Sequence, residues 1–283
     1  MRLSNKYPFL TNYFTQALTM QNRALPQSIL FYGNDIQSQY ILATEIARLL
    51  NCKEDKEDNC ECINCRWINE GTHPAVLTIS KFDNKPENDE SKTVISIKQS
   101  QMIKEMLVSS SEFHRVFIFC DRDETGNICG INSINFQAET ANSLLKIIEE
   151  PQPGVTFIFL TRNIDDVLPT IISRSQCFFV PEIRVKENQY DYSLIDGIFT
   201  DYLGIDRKDL FELSNSLQNL TKENSTKEVL NSIQNYMLAL LKANPQKTEL
   251  IKHIEYVEDA KRQAELGIKS TNIFDNLCLK IIN

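Results

Sequence analysis

Two runs decide the fold: Arg115-Val116-Phe117-Ile118-Phe119-Cys120 and Val155-Thr156-Phe157-Ile158-Phe159-Leu160-Thr161. Both are aromatic and β-branched and neither alternates with polar residues. That pattern suits strands covered on both faces, as in a parallel sheet sandwiched by helices. Working outward, Ser28–Tyr32, Ala75–Ile79 and Gln176–Val180 have the same character and complete a set of five strands. Helical spacing fills intervals between them. Ile36 to Leu50 carries apolar residues at Ile36, Tyr40, Ala43, Ile46, Ala47 and Leu50, and Ala138, Ala141, Leu144, Leu145 and Ile148 repeat similarly before Pro151 ends the helix. The pattern predicts an α/β domain over residues 1–183 with a five-stranded parallel sheet.

Beyond Pro181 the strand signal fades. Asp209–Leu220, Lys227–Leu241, Glu249–Leu266 and Ile273–Ile282 read as amphipathic helices, with Pro245 and Gly267 as punctuation, so residues 184–283 are expected to form an all-α region. The polar stretch Phe82–Lys92 (FDNKPENDESK) has turn composition without an apolar anchor and reads as an exposed connection.

Composition narrows the chemistry. The chain has 283 residues, 42% of them hydrophobic and 24% charged, enough to bury a sizeable core. Its net charge of -8 argues against a surface that grips polyphosphate throughout. No apolar run reaches the roughly 18 residues of a membrane span, and the start MRLSNKYPFLTNYF lacks a secretory pattern, so a cytoplasmic location is expected. Only eight residues are glycine, and none precedes Lys or lies two positions from another. An intact G-x-x-x-x-G-K-[ST] phosphate loop and an intact G-x-G-x-x-G dinucleotide turn are therefore both excluded, since each needs close glycines to bring backbone amides onto phosphate.

Four of the eight cysteines crowd into Cys52, Cys60, Cys62 and Cys65. In a reducing compartment such clustering reads as metal binding, and four thiolates can surround zinc tetrahedrally with no vacant position, which makes the metal structural. It would tie down the insertion at 52–66, too hydrophilic to fold by burial. His73 stands close enough in sequence to replace one thiol, although a turn residue before Pro74 is the plainer role. Asp121, Asp123 and Glu124 follow a strand, where nucleotide hydrolases place acids that hold magnesium. With no phosphate cradle upstream they read as a solvated loop. Arg174, in Ile172-Ser173-Arg174-Ser175, precedes the last strand, and its planar guanidinium can grip phosphate oxygens in a neighbouring subunit or form an ordinary surface ion pair.

The stretch Ala141-Asn142-Ser143-Leu144-Leu145-Lys146-Ile147-Ile148-Glu149-Glu150-Pro151 resembles the A-N-x-L-L-K-x-x-E-E-P signature of bacterial clamp-loader subunits. Thr156–Thr161 and Ile172-Ser173-Arg174-Ser175-Gln176 resemble their fourth strand and S-R-C-Q motif, with Ser175 in place of Cys, and the cysteine cluster falls where they carry a zinc module, followed by His73-Pro74. Order and spacing of these features cover about the first two thirds of the chain.

The resemblance implies an AAA+-type, P-loop-type domain in a hetero-pentameric ring with gamma/tau and delta subunits, acting with the sliding clamp and primer-template DNA as part of a DNA-directed DNA polymerase holoenzyme. The gamma/tau subunits carry a complete phosphate loop. Here the corresponding residues are Gly33-Asn34-Asp35-Ile36-Gln37-Ser38-Gln39-Tyr40, with one glycine and no lysine. The chain is therefore expected to be a stator that binds no nucleotide, with Arg174, flanked by Ser173 and Ser175, as an arginine finger on a neighbour's ATP and with structural zinc on Cys52, Cys60, Cys62 and Cys65. Residues 184–283 would supply a reduced lid and, from Lys227 on, a collar. An active ATPase using the loop at Gly33 and a zinc-dependent DNA-binding module are the competing readings.

Overall fold

The computed structural model describes residues 2–19, 25–54, 59–80, 95–123, 125–131, 145–149, 152–183, 185–186, 189–199, 209–244, 246–247 and 249–282. The stretch Phe82–Lys92, Glu124, and the signature residues 141–144 and 150–151 lie outside them.

The chain divides into two compact units, Met1–Val180 and Pro181–Asn283. The first is built on five parallel strands, β1 (Ser28–Tyr32), β2 (Val76–Ile79), β3 (Arg115–Phe119), β6 (Val155–Thr161) and β7 (Gln176–Phe179), in the order β2-β3-β6-β1-β7. Between β3 and β6 a two-residue hairpin, β4 (Asp121–Arg122) with β5 (Ile128–Cys129), stands apart from the sheet. The helices are α1 (Pro8–Thr19), α2 (Ile36–Asn51), α3 (Ile63–Glu70), α4 (Ile97–Val108), α5 (145–149) and the single turn α6 (Pro169–Ile172).

Register explains why the strands are apolar on both sides. Leu30 pairs with Phe159, Phe159 with Phe119, and Phe157 with Phe117, so these residues share one face. There Phe119 stacks on Phe159 with ring centres 4.6 Å apart, and Ile103 and Leu107 of α4, Ile148 of α5 and Ile171 of α6 close the core. The opposite face presents Phe31 and Phe178, register partners against which Phe14 of α1 packs at 5.7 and 4.9 Å. Each such buried aromatic ring contributes about 1.5–3 kcal/mol through apolar burial.

The second unit carries α7 (Leu210–Leu220), α8 (Thr226–Ala243), α9 (Glu249–Glu265) and α10 (Ser270–Ile282). Ser225 and Glu228 form a reciprocal capping box that starts α8. Leu217, Val229, Ile233, Leu250, Val257 and Phe274 are buried within this unit. The all-α expectation needs one correction, because β8 (Val185–Lys186) pairs antiparallel with β9 (Gln189–Tyr190) before the helices begin. Two residues per strand are too few to leave a periodic signal. Among the described residues no helix is long and apolar enough to cross a membrane.

Candidate functional site

The turn after β1 holds the residues that correspond to a phosphate loop. Gly33 lies at φ 127°, and a Cβ there would fall 2.4 Å from the carbonyl oxygen of Val180. Its N–H is directed into the sheet, donating to the carbonyls of Thr161 and Arg162 at 3.1 Å each. This glycine is thus required by close backbone packing, whatever it does for ligands. Counting a G-x-x-x-x-G-K-[ST] pattern from Gly33 places Ser38 at the second glycine and Gln39 at the lysine. The Gln39 amide is fully buried and donates to the carbonyls of Gly33 at 2.8 Å and Thr161 at 3.0 Å, where it staples the ends of β1 and β6 together.

The N-terminus of α2, which in a nucleotide-binding relative would receive phosphate, already has an anion. Asp35 caps the helix, accepting from Ser38 N at 3.0 Å and from Ser38 Oγ at 2.8 Å. Its carboxylate also takes the Tyr7 hydroxyl at 2.7 Å and forms an ion pair with Lys6. Burial works to raise the Asp35 pKa, but the Lys6 ammonium, the Tyr7 hydroxyl and the Ser38 amide outweigh it and hold the carboxyl below its usual range. Gln39 could have been found by counting from Gly33, and Asp35 by its position before an apolar-periodic stretch. Lys6 and Tyr7 left no sequence signal, because they reach Asp35 only through folding.

Asp123 stands in the exposed turn of the β4–β5 hairpin, as the solvated-loop expectation has it, whereas Asp121 belongs to β4. Asp121 is buried. The Asp123 carboxylate accepts from Thr125 N and Asn127 N at 2.9 Å each and from the Asn127 side chain at 3.1 Å, and bonds led by that from the Thr125 hydroxyl hold its pKa at about 2. Asp123 is a turn-former with its acceptor capacity in use.

Arg174 follows α6 and precedes edge strand β7 by two residues. Since β7 runs parallel to β1, with Ile29 opposite Gln176 and Tyr32 opposite Phe179, Arg174 lies beyond the N-terminal ends of these strands, whereas Gly33 follows their C-terminal ends. At ~3.3 Å per residue the six register steps between the two amount to roughly 20 Å along the strands. The guanidinium, about one-third exposed, pairs with Glu149 through Nε at 2.9 Å and through Nη2, and Nη1 donates to the Thr170 carbonyl at 3.0 Å. The ion pair joins the two signature motifs, with Glu149 from one and Arg174 from the other. Ser173 Oγ donates to the Thr170 carbonyl at 3.2 Å and Ser175 Oγ lies 2.7 Å from Ser28 Oγ, so both serines position the motif against its own surroundings.

The four clustered cysteines come together. Cys52 ends α2, Cys62 precedes α3, Cys65 lies inside α3, and the sulfurs of these and Cys60 all lie within 4.8 Å of one another. A zinc ion with four bonds of about 2.3 Å needs sulfurs about 3.8 Å apart. Cys52 is 3.5 Å from Cys60 and 4.0 Å from Cys62, so the set fits a tetrahedral thiolate site. All eight cysteines of the chain are free thiols. At Cys62 burial is outweighed by the amides of Cys65 and Lys53 and by neighbouring thiols, which bring its pKa down to about 6, while burial pushes Cys65 up. One thiolate among hydrogen-bonding thiols is what four sulfurs sustain until a cation draws the other protons off. His73 is not part of the cluster; it is buried against Trp67 and Phe113, and its Nδ1 accepts from Ala75 N at 3.2 Å.

Comparison with known proteins gives the family. The family described as DNA polymerase III, delta subunit, matches residues 8–184. DNA polymerase III subunit delta prime of Bacillus subtilis is 28% identical over 163 residues, which are 56% of this chain and 43% of that one. DNA polymerase III subunit gamma/tau of Mycoplasma genitalium is 27% identical over 165 residues, 56% of this chain and 24% of that one, so the chain spans less than half of either relative. A solved DNA polymerase III gamma subunit-related protein from Thermotoga maritima aligns over 96% of this chain and 98% of its own, at 15% identity and a TM-score of 0.39, which is too loose to carry a structural argument. With more than half its length matched by the family, the chain belongs to the DNA polymerase III delta subunit family, and it is similar to a delta prime subunit.

Proposed function

We propose that this chain is a non-hydrolysing member of a clamp-loader ring, which leaves its own nucleotide position closed and supplies Arg174 to ATP on an adjacent gamma/tau subunit. The observation that carries the proposal is the pairing of two features at opposite ends of one sheet. At one end Asp35 occupies the α2 N-terminus and Gln39 takes the lysine position. At the other, a partly exposed arginine lies on an edge strand's approach, about 20 Å from the closed loop, where it can serve only a neighbour's phosphates. Negative charge spreads over the transferring phosphoryl oxygens in the transition state, and a guanidinium fork delivered in trans stabilises it. Arg174 must exchange Glu149 for phosphate to do so.

Zinc bound by Cys52, Cys60, Cys62 and Cys65 would be structural, holding the end of α2 against the start of α3. Gamma/tau and delta subunits are the expected ring partners, with the sliding clamp and primed DNA met through the complex.

Two measurements test the proposal. In a complex reconstituted with gamma/tau and delta subunits, Arg174→Ala should leave assembly intact and lower DNA-stimulated ATP hydrolysis by at least tenfold, in line with the large effects of arginine fingers. Unchanged hydrolysis would remove this role. Titration of the isolated chain with a fluorescent ATP analogue should show no saturable binding; micromolar affinity would overturn the closed nucleotide position.

A further inference from the structure

We propose that Arg48 is a positioning residue of the cysteine centre: held by Glu45, a carboxylate that Arg2 shares, it carries a positive charge to Cys65. The proposal rests on the zinc reading above and goes beyond it to how the centre's charge is balanced.

Four thiolates around a divalent cation leave a doubly negative group, and burying such charge is costly unless it is paired or hydrogen-bonded. Cys65 has no exposed surface, so water does not meet that need. Arg48, on α2, is 1% exposed, and its Nη1 donates to Cys65 Sγ at 4.0 Å. The other side of its fork is engaged twice by Glu45, with Nε to Oε1 and Nη2 to Oε2, both at 3.2 Å.

An isolated Arg48–Glu45 pair would bring no net charge to the sulfur, but Glu45 is shared. Arg2 donates its backbone N–H to Oε2 at 3.3 Å and approaches Oε1 through Nε at 3.3 Å. Two guanidiniums on one carboxylate leave one positive charge, and the geometry aims it at Cys65. Arg48 also reaches the centre through its backbone, its carbonyl accepting from Cys52 N at 2.8 Å. That backbone bond any residue here would make; what a lysine would not reproduce is the side chain's three fixed donors, Nε and Nη2 on Glu45 and Nη1 on Cys65.

The test uses the full chain loaded with zinc, and separately with cobalt, whose thiolate charge-transfer band reports the sulfurs directly. Zinc affinity is read from competition with a chromogenic chelator. Arg48→Met should weaken zinc by about 10- to 100-fold, as losses of outer-sphere partners do, and alter the cobalt band. Arg48→Lys should restore part of the affinity, and Arg2→Ala should cost a few-fold with helix content unchanged. If Arg48→Met does not fold, Arg2→Ala decides. A wild-type chain that takes up no zinc overturns the zinc reading together with this inference. Tight zinc in the wild type, equalled by Arg48→Met or, where that variant does not fold, by Arg2→Ala, with an unaltered cobalt band, overturns the role of Arg48 alone.

Discussion

At Gly33 and Asp35 single residues show how a phosphate loop can be structurally retained and chemically closed. Gly33→Ala would drive a Cβ into the Val180 carbonyl at a φ that disfavours side chains, and should lower unfolding stability by about 2–4 kcal/mol in denaturant titration. Asp35 makes a pH-dependent contribution. Its pKa is depressed in the folded chain, so its stabilisation is complete above the unfolded value of about 3.9 and is lost as pH falls through the folded one. Asp35→Asn should therefore be less stable than the wild type at neutral pH, and the gap should close below about pH 4. A constant gap across that window would show that its charge contributes nothing.

Among elements, Glu149 at the end of α5 pairs with Arg174 in the link from α6 to β7, both partly exposed. Pairs of this exposure contribute at most about 1 kcal/mol. Glu149→Gln should consequently leave the melting temperature nearly unchanged. On the arginine-finger reading it should raise partner ATP hydrolysis by up to about fivefold, because Arg174 no longer has to leave a carboxylate. The rise should vanish in the double variant with Arg174→Ala. A fall in hydrolysis would mean that Glu149 orients the arginine for attack instead of restraining it.

For the molecule as a whole, each unit has its own buried polar device. In the helical unit, Lys261 is fully buried, pairs with Glu258 at 3.3 Å and donates to Gln234 and to the Glu182 carbonyl, while Glu258 also accepts from Glu182 N at 3.1 Å. Removing one member of a buried pair leaves the other uncompensated. Lys261→Met should cost about 3 kcal/mol in unfolding stability, as measured by denaturant titration; a cost near zero would show that Glu258 takes up a proton without strain. In the first unit, on the reading that the cysteine cluster holds zinc, chelation should loosen the end of α2 and α3 first, visible as faster amide exchange at 48–54 and 59–70 before exchange rises in β3 and β6.

Local pattern determined much of this protein. The five strands, α2 and the C-terminal helices were legible because continuous apolar runs and helical spacing are properties of neighbouring residues, and the cysteine cluster was legible because its ligands are close in sequence. α1, α3, α4 and the β4–β5 hairpin were missed, since their burial comes from partners elsewhere in the chain or their strands are two residues long. Folding alone makes the pairings across long separations: Lys6 and Tyr7 with Asp35, Arg2 with Glu45, Glu149 with Arg174. A loop that lacks its lysine can be read as incomplete from sequence; that an aspartate and a glutamine fill it depends on strands and helices that meet only after the sheet has formed.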